Sequence, residues 1–315
     1  MENRFQTDEM PIYERIADAL VNGALPRDFS LPSEETGIRF ADGAMDGIAI
    51  YHMGRQAPDT AAMQQMILAL REASACRLKE ADAAFTELGK RYRAISLAEA
   101  LPAQILEHQE AYSADNLFET ALYLVRYSKD REAVKFGLSM LGVFVMDVEA
   151  QKDVVRTLGL SDEFTLFAVW NMMNWEDPAE EIFRLCKKVH GWGRIHALER
   201  LDPVTEEIRA WILKEGVKND VLPAYSAYTA WEKAGVRERL YGPLEREDYA
   251  AIGRIFQALL DEGPVRGISL IEDAEECIHQ YIRRSDEFLL GDEEAEVIEE
   301  LQEWLEGKAG RYHDH

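Results

Sequence analysis

The chain is expected to be all-α, an α-solenoid of stacked helix pairs with an irregular N-terminal loop region. Three observations lead there. Apolar residues recur three and four apart along nearly the whole chain, the period of a helix face. The best candidate for paired strands, "GIRFADGAMDGIAIYHMG" (37–54), shows only short apolar alternations around its glycines, an irregular loop or a small hairpin. Finally, four segments, "EAVKFGLSMLG", "EFTLFAVWNMM", "WGRIHALERLD" and "VLPAYSAYTAW", align on a small residue at Gly137, Ala168, Ala197 and Ser226, spaced by 31, 29 and 29. A helix pair repeated at such a period cannot bury its apolar stripe alone, whereas a stack of pairs builds a continuous core.

Taken in order, "TDEMPIYERIADALVNG" predicts a first helix, with Ile12, Ile16 and Leu20 four apart and a stop at Gly23. Residues 59–93 read as one long or two abutting helices, and 96–108 as a helix interrupted by Pro102. Ser113 or Asp115 caps the next, which carries Leu117, Ala121 and Leu124. The aligned segments are each preceded by another amphipathic helix, at 115–128, 150–158, 178–190 and 204–215. Residues 271–315 hold 15 Asp and Glu against 4 Lys and Arg, yet Val297, Leu301 and Leu305 keep a helical stripe, as a terminal capping element needs. The expected organisation is an N-terminal helix and loop over 1–58, long helices over 59–112, the repeat array over 113–235 and acidic capping helices over 236–315.

Charge and cysteine usage narrow the function classes. With 35 Lys and Arg against 59 Asp and Glu, a formal charge of −24 repels nucleic acid and anionic membrane. The longest apolar run, 136–146, is short of the roughly 20 residues that span a bilayer. Cys76, Cys186 and Cys277 are far apart and odd in number, which suits a reducing cytoplasm; the polar, acidic start does not read as a signal peptide.

The aligned segments resemble the HEAT and armadillo group of helical repeats, well over 113–235 and loosely on the flanks. That resemblance implies a curved superhelix that binds a protein or peptide partner on its concave face, and it implies no chemistry. The run "HGWGRIHALERL" is also similar to bacterial proteins labelled limonene hydroxylase, a label that would imply haem, flavin or non-haem iron. The sequence contains no G-x-G-x-x-G, no phosphate loop, no H-E-x-x-H and no G-x-S-x-G. Glu276 and His279 form a single Glu-x-x-His where a di-iron bundle needs two. Asp42, Asp46 and His52 match no calcium-loop spacing, and "YHDH" (312–315) reads as a tail. No cofactor, metal site or catalytic residue is expected.

The candidate binding groove is drawn from the second helices and their rims: Asn171, Trp175, Trp192, Arg194, His196, Tyr225 and Tyr228. Five of the six tryptophans, including Trp170, Trp211 and Trp231, fall within 62 residues, and "WNMMNW" (170–175) mixes aromatics, methionine and asparagine as recognition grooves do. His196 occupies the slot of Phe136, Phe167 and Tyr225, so it reads as a packing aromatic, with a ligand-binding or acid–base histidine as the alternative. The cations of "CKKVHG" complement a helix C-terminus that Gly191 or Gly193 would cap. A pocket between 37–54 and the tryptophan-rich repeats, serving a small molecule or an enzyme activity, is the alternative function.

Overall fold

Helix pairs form wherever the apolar spacing predicts them. The computed structural model describes residues 10–32, 40–54, 57–263 and 265–312. Among these are α-helices, short 3-10 turns and one π turn, with an isolated bridge between Val21 and Ala24 and no β-strand. The chain divides into two compact units, Met1–Arg200 and Leu201–His315, a boundary that falls inside the expected 113–235 array.

In the first unit, α1 (Ile12–Ala19) buries Ile12 and Ile16. A short α2 (Ala44–Ile48) runs directly into a π turn at Ala49–Met53. The described part of the expected loop is therefore helical. It is bracketed by Gly43 (φ 77°) and Gly54 (φ 69°), both left-handed, which isolate so short a helix from any sequence periodicity. Next come α3 (Thr60–Ser74) and α4 (Leu78–Arg91), two helices broken at Cys76 (φ 54°). The following α5 (Ala100–Glu107) is not interrupted by Pro102. The proline lies in its first turn, where an N–H has no intrahelical partner to lose.

Three further pairs complete the unit: α6 (Ala114–Tyr127) with α7 (Arg131–Leu141), α8 (Glu149–Gly159) with α9 (Thr165–Met172), and α10 (Pro178–Cys186) with α11 (Trp192–Arg200). The pairs pack in chain order. Helix α3 lies on α6 and α4 on α7; α6 lies on α8 and α7 on α9; α9 then meets both α10 and α11. The α3–α4 pair thus extends the pattern upstream of residue 113. Two of the aligned small residues, Gly137 and Ala168, sit at the contact within a pair. A Cβ on Gly137 would lie 2.9 Å from Leu124 Cβ, and one on Gly159 the same distance from Ala168 Cβ. Helices α7 and α9 are buried nearly all round, so they form the middle layer.

The second unit contains α12 (Glu206–Glu215), α13 (Ala224–Lys233), α14 (Val236–Tyr241), α15 (Arg246–Leu260), α16 (Ala274–Arg284) and α17 (Asp292–Tyr312). Helices α12, α13 and α17 all pack on α15. Its core stacks Tyr249 on Tyr281 at 4.3 Å between ring centroids, with Trp231 against Phe256 at 5.1 Å. In α17, Val297 and Leu301 are buried, Glu294 is buried against Arg246, and Glu293, Glu296, Glu299 and Glu303 lie exposed. Among the described residues no helix is long and apolar enough to cross a membrane.

Candidate functional site

Segment 40–54 lies on one face of the first unit, across α7, α9 and α11, and a buried charge cluster forms where they meet. Lys135 projects from the middle of α7 and is 1 % exposed. A lysine is almost never buried without partners, and this one has three. Its Nζ stands 2.8 Å from Asp46 Oδ2, 2.6 Å from Glu163 Oε1 and 3.3 Å from Glu132 Oε1. The Glu163 carboxylate, just ahead of α9, also accepts from the Gly43 N–H at 2.9 Å and from Arg131 at 3.1 Å. Arg131 in turn pairs with Asp42 at 2.8 Å and donates to the carbonyls of Leu31 and Pro32. Every contact across the seam joins residues far apart in the chain.

Burial opposes the charge on Lys135, but the Asp46, Glu163 and Glu132 carboxylates outweigh it and raise its pKa above the ordinary lysine range. The group is an ammonium, not a free amine, so it is no nucleophile. Burial also works against Glu163, yet Lys135, Arg131 and the Gly43 N–H hold its pKa below the usual carboxylate value. Asp46 is the member that titrates within reach of neutrality. Burial pushes it up to about 6 against the pull of Lys135.

An aromatic seat adjoins the charges. Tyr51, in the π turn, donates to Glu199 Oε1 at 2.5 Å. Its ring lies 6.3 Å from that of His196 and 6.0 Å from that of Trp192, centroid to centroid. A Cβ on Gly47 would overlap the Trp192 ring, so the tight fit of α2 over α11 depends on a glycine there. His196 is fully buried and stacks as an aromatic. Burial, then the cations of Arg200 and Lys135, lower its pKa to about 3. It is a neutral ring at physiological pH.

The glycines of "HGWG" have a different use from the one expected. Helix α10 ends at Cys186, and Gly191 and Gly193 belong to the start of α11. There the half-buried Asp162 carboxylate accepts from the backbone N–H groups of Gly191, His190 and Gly193, although desolvation still pushes it up to about 7. A Cβ on Gly193 would stand 2.5 Å from Asp162 Oδ1. A cap supplied from the lead-in to α9 requires a glycine at that position.

Of the groove residues, Trp192 and His196 meet at this seam. Asn171 is buried and ties α9 to the end of α7, its Nδ2 donating to the carbonyls of Leu138 and Phe167, each at 2.9 Å. Arg194 is buried in the first turns of α11. Trp175 packs elsewhere, under Lys152 and Arg156, beside a cavity of about 430 Å³ between α8 and α10. Tyr225 and Tyr228 are half-buried on α13 in the second unit, with the Arg266 guanidinium 3.7 Å above the Tyr228 ring. Sequence reasoning missed Lys135, Glu163, Arg131, Asp162, Tyr51 and Glu199. Lys135 had a signal: it stands between Val134 and Phe136, immediately before the longest apolar run.

Asp42 and Asp46 face Arg131 and Lys135, cations that already occupy them, and His52 is exposed. Glu276 and His279 are exposed on α16. Among the described residues no group of three or more His, Cys, Asp or Glu is placed to hold a metal ion. No protein-family model, curated protein or solved structure matches the chain. What this site can do follows from its chemistry: it holds a helical segment by charge and by ring stacking.

Proposed function

We propose that the protein is a HEAT- or armadillo-like helical-repeat module that binds a protein partner through the face of α7, α9 and α11. One observation carries this reading: that face already holds a peptide segment, 40–54, by side-chain-specific contacts. The ordered packing of four helix pairs supports a solenoid in the first unit. Three free cysteines support a reducing compartment such as the cytoplasm. The net charge of −24 supports a protein partner over nucleic acid or anionic lipid.

The test is site-specific photo-cross-linking in the native cell. One probe replaces Met53, 64 % exposed at the edge of the seam, and a control replaces Leu289, 91 % exposed in the second unit. A discrete protein adduct from position 53 and none from 289 is the expected result. Adducts from 289 alone, or none from either, would refute the assignment of the face.

A further inference from the structure

We infer that segment 40–54 is a displaceable internal ligand, and that the partner it stands in for is a short acidic helix with a carboxylate and an aromatic ring one turn apart. This rests on the reading of the α7–α9–α11 face as a binding face, and it adds the chemistry of the partner.

The seat is shallow. In α2 only Ala44, Asp46 and Gly47 are buried, and in the π turn no residue is; in α7 nine of eleven are. Five α-helical residues and one π turn cannot sustain a helix on their own, because nucleation is costly. Tertiary contacts alone hold it, and segments with few buried apolar contacts are the first to open. Both ends carry a left-handed glycine, Gly43 and Gly54, so the segment is joined to its flanks by residues able to swivel.

Charge supplies the second argument. The ion-paired set comprises three cations, Arg93, Arg131 and Lys135, against four carboxylates, Asp42, Asp46, Glu132 and Glu163. Lifting the segment removes Asp42 and Asp46 and leaves three cations facing two carboxylates. Arg131 would lose its pair with Asp42. Lys135 would face the opening with one carboxylate fewer, and an incoming Asp or Glu restores it. Shape supplies the third. Asp46 in α2 and Tyr51 in the π turn that continues it both reach the same face, Asp46 at Lys135 and Tyr51 at Trp192 and His196; an ordinary α-helix presents such a pair four residues apart. The ring then enters the seat made by Trp192 and His196.

The test uses the full chain carrying Asp46→Asn and Tyr51→Ala, with a fluorescent synthetic peptide of residues 40–54 as probe. In the wild type the tethered segment competes at an effective concentration in the millimolar range, so the probe should bind the double variant about tenfold or more tightly than the wild type. A probe carrying the same two changes should not bind. Equal binding to both chains, or to neither while circular dichroism stays helical, overturns the proposal. Hydrogen exchange on the wild type is the safeguard should the double variant not fold. Amides of 44–53 should exchange well before those of α7 and α9; equal protection overturns the proposal too. Loss of probe binding alongside a partner cross-linked at position 53 separates failure of this inference from failure of the binding face.

Discussion

Replacing His196 by Phe should stabilise the protein, and by an amount that grows as the pH falls. The unfolded chain protonates this histidine near 6.5, whereas the folded chain resists down to about 3. A depressed pKa gives stability that is complete above 6.5 and is lost as pH falls toward 3. Each pH unit in that window costs the wild type about 1.4 kcal/mol, so between pH 7 and pH 4 the loss is about 3 kcal/mol. Phenylalanine does not titrate, and Phe136 and Phe167 fill the equivalent slot in the two preceding pairs. Two other groups act in the opposite sense. Asp46 and Asp162, raised to about 6 and about 7, take stability away as pH rises. They mask the histidine in any single pH profile of the wild type. They cancel in the difference between wild type and His196→Phe. Urea denaturation of both proteins at pH 7, 6, 5 and 4 measures that difference. A gap that stays flat across the series would show that His196 is not held neutral, and the account of the seat would fail.

Further outcomes follow from the same cluster. Lys135→Met should destabilise by about 3–5 kcal/mol at pH 7, because three carboxylates lose their common cation; adding Asp46→Asn should recover part of it, read as denaturation midpoints. Gly47→Ala should cost about 1–3 kcal/mol and render 40–54 cleavable by dilute protease while α7 and α9 stay intact, since the new methyl meets the Trp192 ring. Asp162→Asn should flatten the stability loss that the wild type shows between about pH 4 and pH 7, the window set by its raised pKa; an unchanged slope would mean that the surroundings of the carboxylate do not raise it.

The helix pairs could be read from the sequence because their information is local. An apolar stripe with a period of 3.6, a capping Ser113 or a small residue at Gly137 acts over one or two turns, and each appears where expected. The seam could not be read, because nothing local produces it. Asp46 has no partner within its own helix; it answers to Lys135 and, beyond that, to Glu163. The groove residues were chosen from their own segments, without the segment that covers two of them. The "HGWG" run misled for the same reason. Glycines after a helix read as its C-cap, and only the approach of Asp162 from another pair shows that they open the next one.

The seam also sets a schedule. Tyr51 meets Glu199, 148 residues further along, and Gly43 meets Glu163 after 120. On a ribosome adding about 5–20 residues per second, segment 40–54 emerges and then waits roughly 7–30 s for the surface it covers. Throughout that interval Tyr51 has no ring to rest on, and Asp42 and Asp46 start out charged and hydrated. When α7 clears the exit tunnel the two carboxylates exchange water for Arg131 and Lys135, and only when α11 follows does Tyr51 gain its seat. Segment 40–54 and the last of the four pairs thus become native together, and a chain stalled before residue 199 would leave Tyr51 without its partner.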